Sequence, residues 1–236
     1  MTKIEEGRRA QDQARERQVQ IPAGHTVLGG DLVVPDTAGG VVLSAHGGGS
    51  SRHSLRNRYV AKVLQQASLA TLLMDLLTPD EEALDAQTGA LRFDVELLAG
   101  RLVDVTSWLI HQPQTAQLPI GYFGASTGAA AALVAAANRP NSVSAVVSRG
   151  GRPDLAGDAL RHVVAPTLLI VGGSDTLVLE LNRKALAELP GEKKLEIVPD
   201  ATHLFEESGS LESVAQLAKS WFVLYLFRAN RQSKTA

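Results

Sequence analysis

The sequence predicts a doubly wound α/β fold, with helices on both faces of a mostly parallel sheet of about eight strands. Short apolar segments alternate with helical stretches from residue 40 onward, and this alternation is typical of parallel strands joined by crossover helices. The segments are continuously apolar, which indicates strands buried on both faces. Ahead of them, residues 17–24 and 25–35 fit two antiparallel strands joined by a turn.

Each element is predicted from its own pattern. The apolar runs that predict parallel strands are residues 40–46, 70–77, 119–124, 144–150, 166–173 and 194–199. Helices are predicted in SLRNRYVAKVLQQAS, FDVELLAGRLVDVTSWLIHQ, the alanine-rich segment after Ser126, LELNRKALAEL and LESVAQLAKSWFVLYLFRAN. Residues 78–91 fit either a loop or a short cap that leads into the helix at Phe93. Little or no cap domain is therefore expected.

A single domain is expected over residues 17–230, between a charged N-terminal extension (1–16) and a short tail (231–236), because 236 residues suit one large α/β domain. The formal net charge of −2 gives no basic excess for binding phosphates, so no nucleic-acid partner is expected. The sequence has no cysteine, which excludes disulfides, thiolate metal sites and a cysteine nucleophile. The first residues lack the apolar stretch of a secretory signal, so the expected location is cytoplasmic. Glycines interrupt the apolar residues 118–137, so no membrane association is expected.

The strongest catalytic signal is the pentapeptide Gly-Ala-Ser-Thr-Gly at residues 124–128, which follows a predicted strand directly and opens the alanine-rich helix. In this setting G-x-S-x-G is the pattern of a nucleophile elbow, which presents Ser126 above the sheet. Gly124 and Gly128 leave space where bulkier residues would collide with the adjoining strand and helix. An ordinary glycine-rich turn is the alternative, since the bare motif also occurs by chance.

A serine hydroxyl is a weak nucleophile near neutral pH, so it needs a base and a group that orients the base. In elbow-type enzymes these two follow the nucleophile in the order acid, then histidine, on loops after later strands. Asp175, in VGGSDTLV after the strand at 166–173, fits the acid, with helix N-capping as its alternative role. His203, in PDATHLFEE after the strand at 194–199, fits the base better than the other histidines do.

An acyl-transfer site also needs N–H donors for the developing oxyanion. Residues 46–49, His-Gly-Gly-Gly, end the first parallel strand and match the oxyanion loop of esterases. The backbone amides of Gly48 and Thr127 are the predicted donors, and Gly47 or Gly49 could share or take over the role of Gly48. The competing interpretation is a phosphate-binding glycine loop, but the segment lacks the Lys-Ser/Thr ending of a P-loop.

The segments HGGGSSRHSLRN, GASTG, VGGSD and DATHLF occur in that order, and over roughly residues 17–228 the chain resembles the dienelactone-hydrolase-like branch of the α/β-hydrolase superfamily. The resemblance implies the α/β-hydrolase fold and a carboxylic ester hydrolase that needs no cofactor or metal. One feature departs from the family pattern: dienelactone hydrolases proper use a cysteine nucleophile, and this chain has Ser126. Serine esterases of the same broad family are the closer analogy.

Four arginines follow the predicted catalytic loops: Arg52, Arg56, Arg149 and Arg152. Arg52 and Arg149 are predicted to bind a substrate carboxylate in the bidentate geometry that arginine favours, with ordinary surface arginines as the alternative. Phe205 is predicted to form an apolar wall of the site, although core packing would explain it equally well.

The predicted function is hydrolysis of a small-molecule ester or lactone through an acyl-enzyme. The alternatives are an acyltransferase or peptidase that uses the same triad, or a ligand-binding protein that kept the fold without activity. Residues 221–227, WFVLYLF, are apolar around more of the helix than one core-facing stripe requires. They predict either a homodimer interface or a well-covered terminal helix.

Overall fold

The computed structural model describes residues 16–233, so most of the predicted N-terminal extension and the last three residues of the predicted tail lie outside the described residues. Within that range the strands are β1 (Arg17–Ala23), β2 (Thr26–Val33), β3 (Val41–Ala45), β4 (Ala70–Met74), β5 (Ile120–Ala125), β6 (Val143–Arg149), β7 (Thr167–Gly172) and β8 (Lys193–Val198). They form one sheet in the order β1-β2-β4-β3-β5-β6-β7-β8. β2 pairs antiparallel with β1 and β4, and the other neighbours are parallel. The predicted mostly parallel sheet is confirmed.

The helices of the described residues are α1 (Leu55–Gln66), α2 (Pro79–Thr88), α3 (Val95–His111), α4 (Thr127–Asn138), α5 (Thr176–Glu188) and α6 (Ser210–Ser233). Two 3₁₀ segments, Leu91–Phe93 and Pro153–His162, accompany them, and the second is broken at Gly157. All five predicted helices are present. Because α6 continues to Ser233, the first residues of the predicted tail are part of this helix.

Residues 78–91, for which the sequence predicts a loop or a short cap, contain the helix α2. Its first turn is a capping box: the Thr78 side chain accepts from the Glu81 amide, and the Glu81 carboxylate accepts from the Thr78 amide. Pro79 suits the first helical position, and Gly89 ends the helix in the left-handed conformation at φ +67°. These caps stabilise a helix whose own apolar face is weak.

The two faces of the sheet are covered by different helices. Adjacent residues of β3 point to opposite faces, and Leu43 belongs to the apolar cluster with α3 and α4, whereas Val42 belongs to the cluster with α1 and α6. The alanines of α4 are almost all buried, which lets this helix pack closely between the sheet and α3. The sheet is thereby enclosed, and its carboxyl edge carries the loops described below.

Helix α6 is largely covered within the chain. Phe222 and Leu226 are fully buried, whereas Leu224 is exposed. Phe222 reaches Gly121 on β5, where an added Cβ would lie only 2.7 Å from the phenyl ring. Most of the apolar stretch is therefore core, and the homodimer stays a prediction.

Candidate active site

Ser126 lies in the turn between β5 and α4 with an unusual backbone conformation. Its φ of +51° and ψ of −121° are rarely adopted by a residue with a side chain. Two hydrogen bonds to the end of β6 and the loop after it hold Ser126 there: its amide donates to the Arg149 carbonyl at 3.2 Å, and its carbonyl accepts from the Arg152 amide at 3.1 Å. Such a sharp, strained strand-to-helix turn is the geometry of a nucleophile elbow.

The glycines on either side of Ser126 have no room for side chains. A Cβ at Gly124 would lie 2.4 Å from Cα of Ala129, and one at Gly128 would lie 2.3 Å from the Ala45 carbonyl oxygen. Both are contacts with backbone, which cannot move aside as a flexible side chain can. The fold therefore leaves no space for a side chain at Gly124 or Gly128, as the sequence predicts.

Asp175 and His203 meet at the same edge of the sheet. Asp175 follows β7 and precedes α5, and His203 lies in the loop between β8 and α6. Their side chains are joined by a hydrogen bond of 2.7 Å between His203 Nδ1 and Asp175 Oδ2. Asp175 occupies the N-cap position of α5, but its side chain makes no capping hydrogen bond. Its carboxylate therefore orients the imidazole rather than the helix.

The histidine loop lies beside the serine turn. Gly150 directly follows Arg149, whose carbonyl accepts the hydrogen bond from the Ser126 amide. Gly150 has φ +50°, and a Cβ at this position would lie 3.5 Å from His203 Nδ1. The three predicted triad residues thus converge on one rim. Within residues 16–233 the Asp175–His203 bond is formed, while no hydrogen bond joins His203 to Ser126. In ligand-free sites such bonds are often long and shorten when substrate binds.

The glycine loop after β3 lies against Ser126 through Gly47. A Cβ at Gly47 would lie 2.9 Å from Ser126 Cβ and 3.7 Å from Ser126 Oγ. The Gly48 amide, the predicted oxyanion donor, is instead directed at Thr127 Oγ1, 3.3 Å away. Gly49 has φ +71°, with no atom within 4 Å of its Cβ position, and forms the exposed turn. Gly47 is therefore better placed than Gly48 to donate to an oxygen bound at Ser126.

His46 fixes the start of this loop. Its Nδ1 lies 2.9 Å from the Gly47 carbonyl oxygen, and its Nε2 accepts from the Leu76 amide at 3.4 Å. Because Nε2 accepts, the ring proton must be on Nδ1. Burial lowers the pKa of His46, partly offset by the bond to Gly47 and by Glu82, so the ring is neutral near pH 7. Its role here is structural.

A cavity of about 440 Å³ opens beside Gly47 and Thr127. This volume is within the usual range for small-molecule sites. Its walls are His46, Gly47, Gly48, Gly49, Ser50, Ser51, Ser54, Arg56, Leu76, Leu77, Glu82, Asp85, Ala86, Arg92, Leu98 and Thr127. Sequence reasoning missed the wall formed by α2, and the signal that could have found it is the capping box at Thr78 and Glu81.

The arginines near the site differ in their partners. Arg52 is bound by Asp75, Arg56 reaches Glu206 at 2.8 Å, and Arg152 reaches Asp154 at 2.7 Å. These three charges are balanced by carboxylates.

Arg149 is the exception among these arginines. Its Nε is buried without a hydrogen-bond partner in the described part of the chain, and its guanidinium lies 5.9 Å from the ring centre of Phe205. Burial, with a contribution from Arg56, lowers the pKa of Arg149 to about 10. Phe205 is fully buried and packs in the cluster with α6, so it belongs to the core beneath the site.

Residues 16–233 contain neither a cluster of metal-binding side chains nor a helix suited to cross a membrane. No group of three or more histidine, cysteine, aspartate or glutamate side chains in this range has the arrangement of a metal site. None of the described helices combines the length and the apolar character needed to cross a membrane.

No family model matches the sequence. The chain is 62% identical to the dienelactone hydrolase of Anabaena variabilis, whose crystal structure matches with a TM-score of 0.89 over 91% of this chain and 99% of that one. An esterase of Pyrococcus furiosus shares the fold at 18% identity, with a TM-score of 0.69 over 92% of this chain and 95% of that one.

A longer relative carries a different name. A Mycobacterium tuberculosis protein, provisionally named a phosphoribosyl transferase, is 63% identical over 212 residues, or 90% of this chain. The chain spans only 47% of that protein, about half its length.

Proposed function

This chain belongs to the dienelactone hydrolase family of the α/β hydrolases, and we propose that it is a serine hydrolase that cleaves carboxylic esters or lactones through an acyl-enzyme. The observation that carries the proposal is the 2.7 Å bond between His203 and Asp175 at the same rim as the strained Ser126 turn. A nucleophile, a base and an orienting acid are the three groups that serine acyl transfer requires.

In the proposed reaction, His203 Nε2 takes the proton from Ser126 Oγ as Oγ bonds to the substrate carbonyl carbon. The carbonyl π electrons move to oxygen, and the backbone amides of Gly47 and Thr127 donate to this oxyanion. When the intermediate collapses, the proton passes from His203 to the leaving alcohol oxygen, and the acyl group stays on Ser126. Water then repeats both steps and releases the acid, while Asp175 keeps the imidazole proton on Nδ1.

The choice of Gly47 revises the donor suggested by the sequence. Two observations support it: the Gly48 amide is directed at Thr127 Oγ1, and the Gly47 amide has no acceptor among residues 16–233. Thr127 is the first residue of α4, where an amide has no partner within the helix. Both proposed donors are therefore available to a substrate oxygen.

The name of the mycobacterial relative gives a second candidate, transfer of a phosphoribosyl group. We do not favour it for this chain, because the name describes a protein of about twice the length matched here. Acyl transfer to an acceptor other than water, or amide cleavage, would use the same side chains and differ only in the substrate.

A fluorophosphonate probe tests the proposed function directly, because it phosphonylates a serine, with loss of fluoride, only when a neighbouring base activates the hydroxyl. The expected result is stoichiometric labelling of Ser126, found by mass spectrometry of the digested protein, and no labelling after heat denaturation. A folded protein that leaves Ser126 unlabelled would favour a binding protein without hydrolytic activity.

We also propose that Arg149 binds an anionic group of the substrate. This role is supported by the buried Nε of Arg149, which has no hydrogen-bond partner in the described residues. A buried guanidinium without a carboxylate is costly unless a ligand neutralises it. Arg52 was predicted for the same role, but Asp75 binds its guanidinium, so we do not propose substrate binding for it.

Replacing Arg149 by leucine is expected to lower kcat/KM for the mono-p-nitrophenyl ester of adipate by about 10- to 100-fold, the usual value of a hydrogen bond to a charged group. Hydrolysis of p-nitrophenyl hexanoate, which has the same acyl length without the charge, should change by less than about 3-fold. Arg161→Leu, which removes an exposed arginine paired with Glu188, is the matched control. Equal losses on both esters would exclude the anion-binding role.

A further inference from the structure

The loop that carries the glycines is attached at both ends to one place, the end of β4. We define this oxyanion loop as residues 46–52. At its start, the ring of His46 accepts from the Leu76 amide. At its end, the Arg52 amide donates to Asp75 Oδ1 at 2.9 Å, and the Arg52 guanidinium donates to Asp75 Oδ2. Two consecutive residues after β4 therefore hold the whole loop.

The centre of the loop is fixed by hydrogen bonds to a single peptide group, the one between Gly47 and Gly48. Its carbonyl oxygen accepts from His46 Nδ1 at 2.9 Å and from the Ser50 amide at 3.2 Å. Its N–H, that of Gly48, is directed at Thr127 Oγ1. With both polar groups of this peptide satisfied, the preceding N–H, that of Gly47, remains for a substrate oxygen, and Gly47 is the glycine of the loop that lies against Ser126.

These contacts need support because three successive glycines are flexible. Glycine loses more conformational freedom on ordering than any other residue, and an oxyanion donor must be ordered before reaction to be effective. The side chains that order the loop come from its flanks, and Asp75 is the group that receives both a backbone and a side-chain donor from Arg52. Asp75 is itself fixed by its amide, which donates to the Gly29 carbonyl at 3.1 Å.

The charge of Arg52 is held between two carboxylates. Besides Asp75, its Nε lies 3.6 Å from Oδ2 of Asp31, a residue only 3% exposed. Gly29 makes room for the guanidinium, because a Cβ at this position would lie 2.9 Å from Arg52 Nη1. Arg52 therefore lies across β2 and links the loop to β2 and to the residue directly after β4.

We propose that Asp75 and Arg52 are positioning residues for the hydrolysis proposed above, on which this inference rests. They touch neither the substrate nor the reacting atoms. They act through the oxyanion loop by holding the Gly47 amide where negative charge develops. Since this amide would stabilise the oxyanion more than the ground-state carbonyl, their loss should affect kcat much more than KM.

The first test is Asp75→Asn, which keeps the size of the side chain and an acceptor for the Arg52 amide but removes the charge. The expected result on p-nitrophenyl butyrate is a kcat about 10- to 100-fold lower, less than the cost of removing a donor outright, with KM within about 3-fold. The inhibition constant of a phenylboronic acid, whose serine adduct places an anionic oxygen in the oxyanion site, should rise by a similar factor. If Asp75 only stabilised the fold, the fall in kcat would not be matched by an equal rise in the inhibition constant of the boronic acid.

Arg52→Lys and Arg52→Met are a second pair that tests the proposal should Asp75→Asn fail to fold. Lysine keeps the charge beside Asp75 and should retain most of the kcat, whereas methionine should lose as much as Asp75→Asn does. The matched control is Glu188→Gln, which removes an ion pair with Arg161 at the opposite edge of the sheet. It should change neither kcat nor the inhibition constant of the boronic acid.

The outcomes separate this inference from the function on which it rests. If kcat in Asp75→Asn or Arg52→Met stays within about 3-fold, or falls without weaker boronate binding, the positioning role is wrong even though Ser126 is still labelled by the fluorophosphonate. If Ser126 of the wild-type protein is not labelled, the proposed hydrolase fails first.

Discussion

Replacing Ser126 by alanine is expected to lower kcat for p-nitrophenyl butyrate by at least about 10³-fold, because losing the nucleophile of a triad removes the acyl-enzyme route. Alanine fits the turn as serine does, since the neighbouring glycines, Gly124 and Gly128, provide the space. KM and the thermal midpoint should therefore change little. Initial rates and a thermal unfolding curve measured on the same preparation check these expectations.

Ser220→Ala is the matched control for this variant, because Ser220 is an exposed serine of α6 whose hydroxyl bonds to the Gln216 carbonyl within the same helix. It should hydrolyse the ester at the wild-type rate. If the Ser126→Ala protein kept more than about one per cent of the wild-type kcat after purification from a strain without the wild-type gene, Ser126 would not be the nucleophile.

Replacing Asp175 by asparagine is expected to lower kcat by about 10³- to 10⁴-fold, as comparable substitutions in serine triads do. The reason is the tautomer of His203: the carboxylate accepts a hydrogen bond from Nδ1–H at 2.7 Å, whereas the amide group of asparagine can donate to Nδ1 instead. The ring proton then moves to Nε2, the atom that must accept from Ser126. Initial rates at several pH values measure the loss.

Asp158→Asn is the control for charge, since Asp158 is a highly exposed aspartate in the 3₁₀ segment before β7. It should leave kcat unchanged. Fluorophosphonate labelling of Ser126 should slow in parallel with kcat in Asp175→Asn. If labelling kept the wild-type rate while ester turnover fell, Asp175 would act on a later step or on folding rather than on the base.

Local patterns were sufficient to predict the sheet and the candidate triad. The strands β3 to β7 are continuous apolar runs, and the three triad residues each follow one of the strands of the sheet. Because the carboxyl ends of parallel strands meet at one edge, chain order alone was enough to place Ser126, Asp175 and His203 together. The Asp175–His203 bond agrees with this placement, and the catalytic role of the three residues stays a prediction until the variants are measured.

The details that the sequence did not predict depend on contacts between distant residues. Which loop amide is free depends on Thr127 Oγ1, a side chain 79 positions after Gly48. Arg52 was expected at the mouth of the site, but the carboxylates that bind it come from β2, for Asp31, and from the residue directly after β4, for Asp75. No local periodicity in a single sequence encodes such pairings.

Helix α2 was ambiguous for a different reason. Its capping residues, Thr78, Pro79 and Glu81, were visible in the sequence, but its apolar pattern is too weak to identify a helix. Hydrophobic periodicity is the primary signal for helices, and here the stability comes from the ends instead. Cap chemistry therefore predicts such a short helix better than periodicity does.

The self-capped ends of α2 make it a replaceable module for engineering. Its stop and start signals lie within residues 78–89, so two of the side chains that line the cavity, Glu82 and Ala86, can be varied without rebuilding the turn at either end. The elbow offers no comparable freedom, because backbone closes around its glycines. A mutant library aimed at new acyl groups should therefore concentrate its diversity on α2.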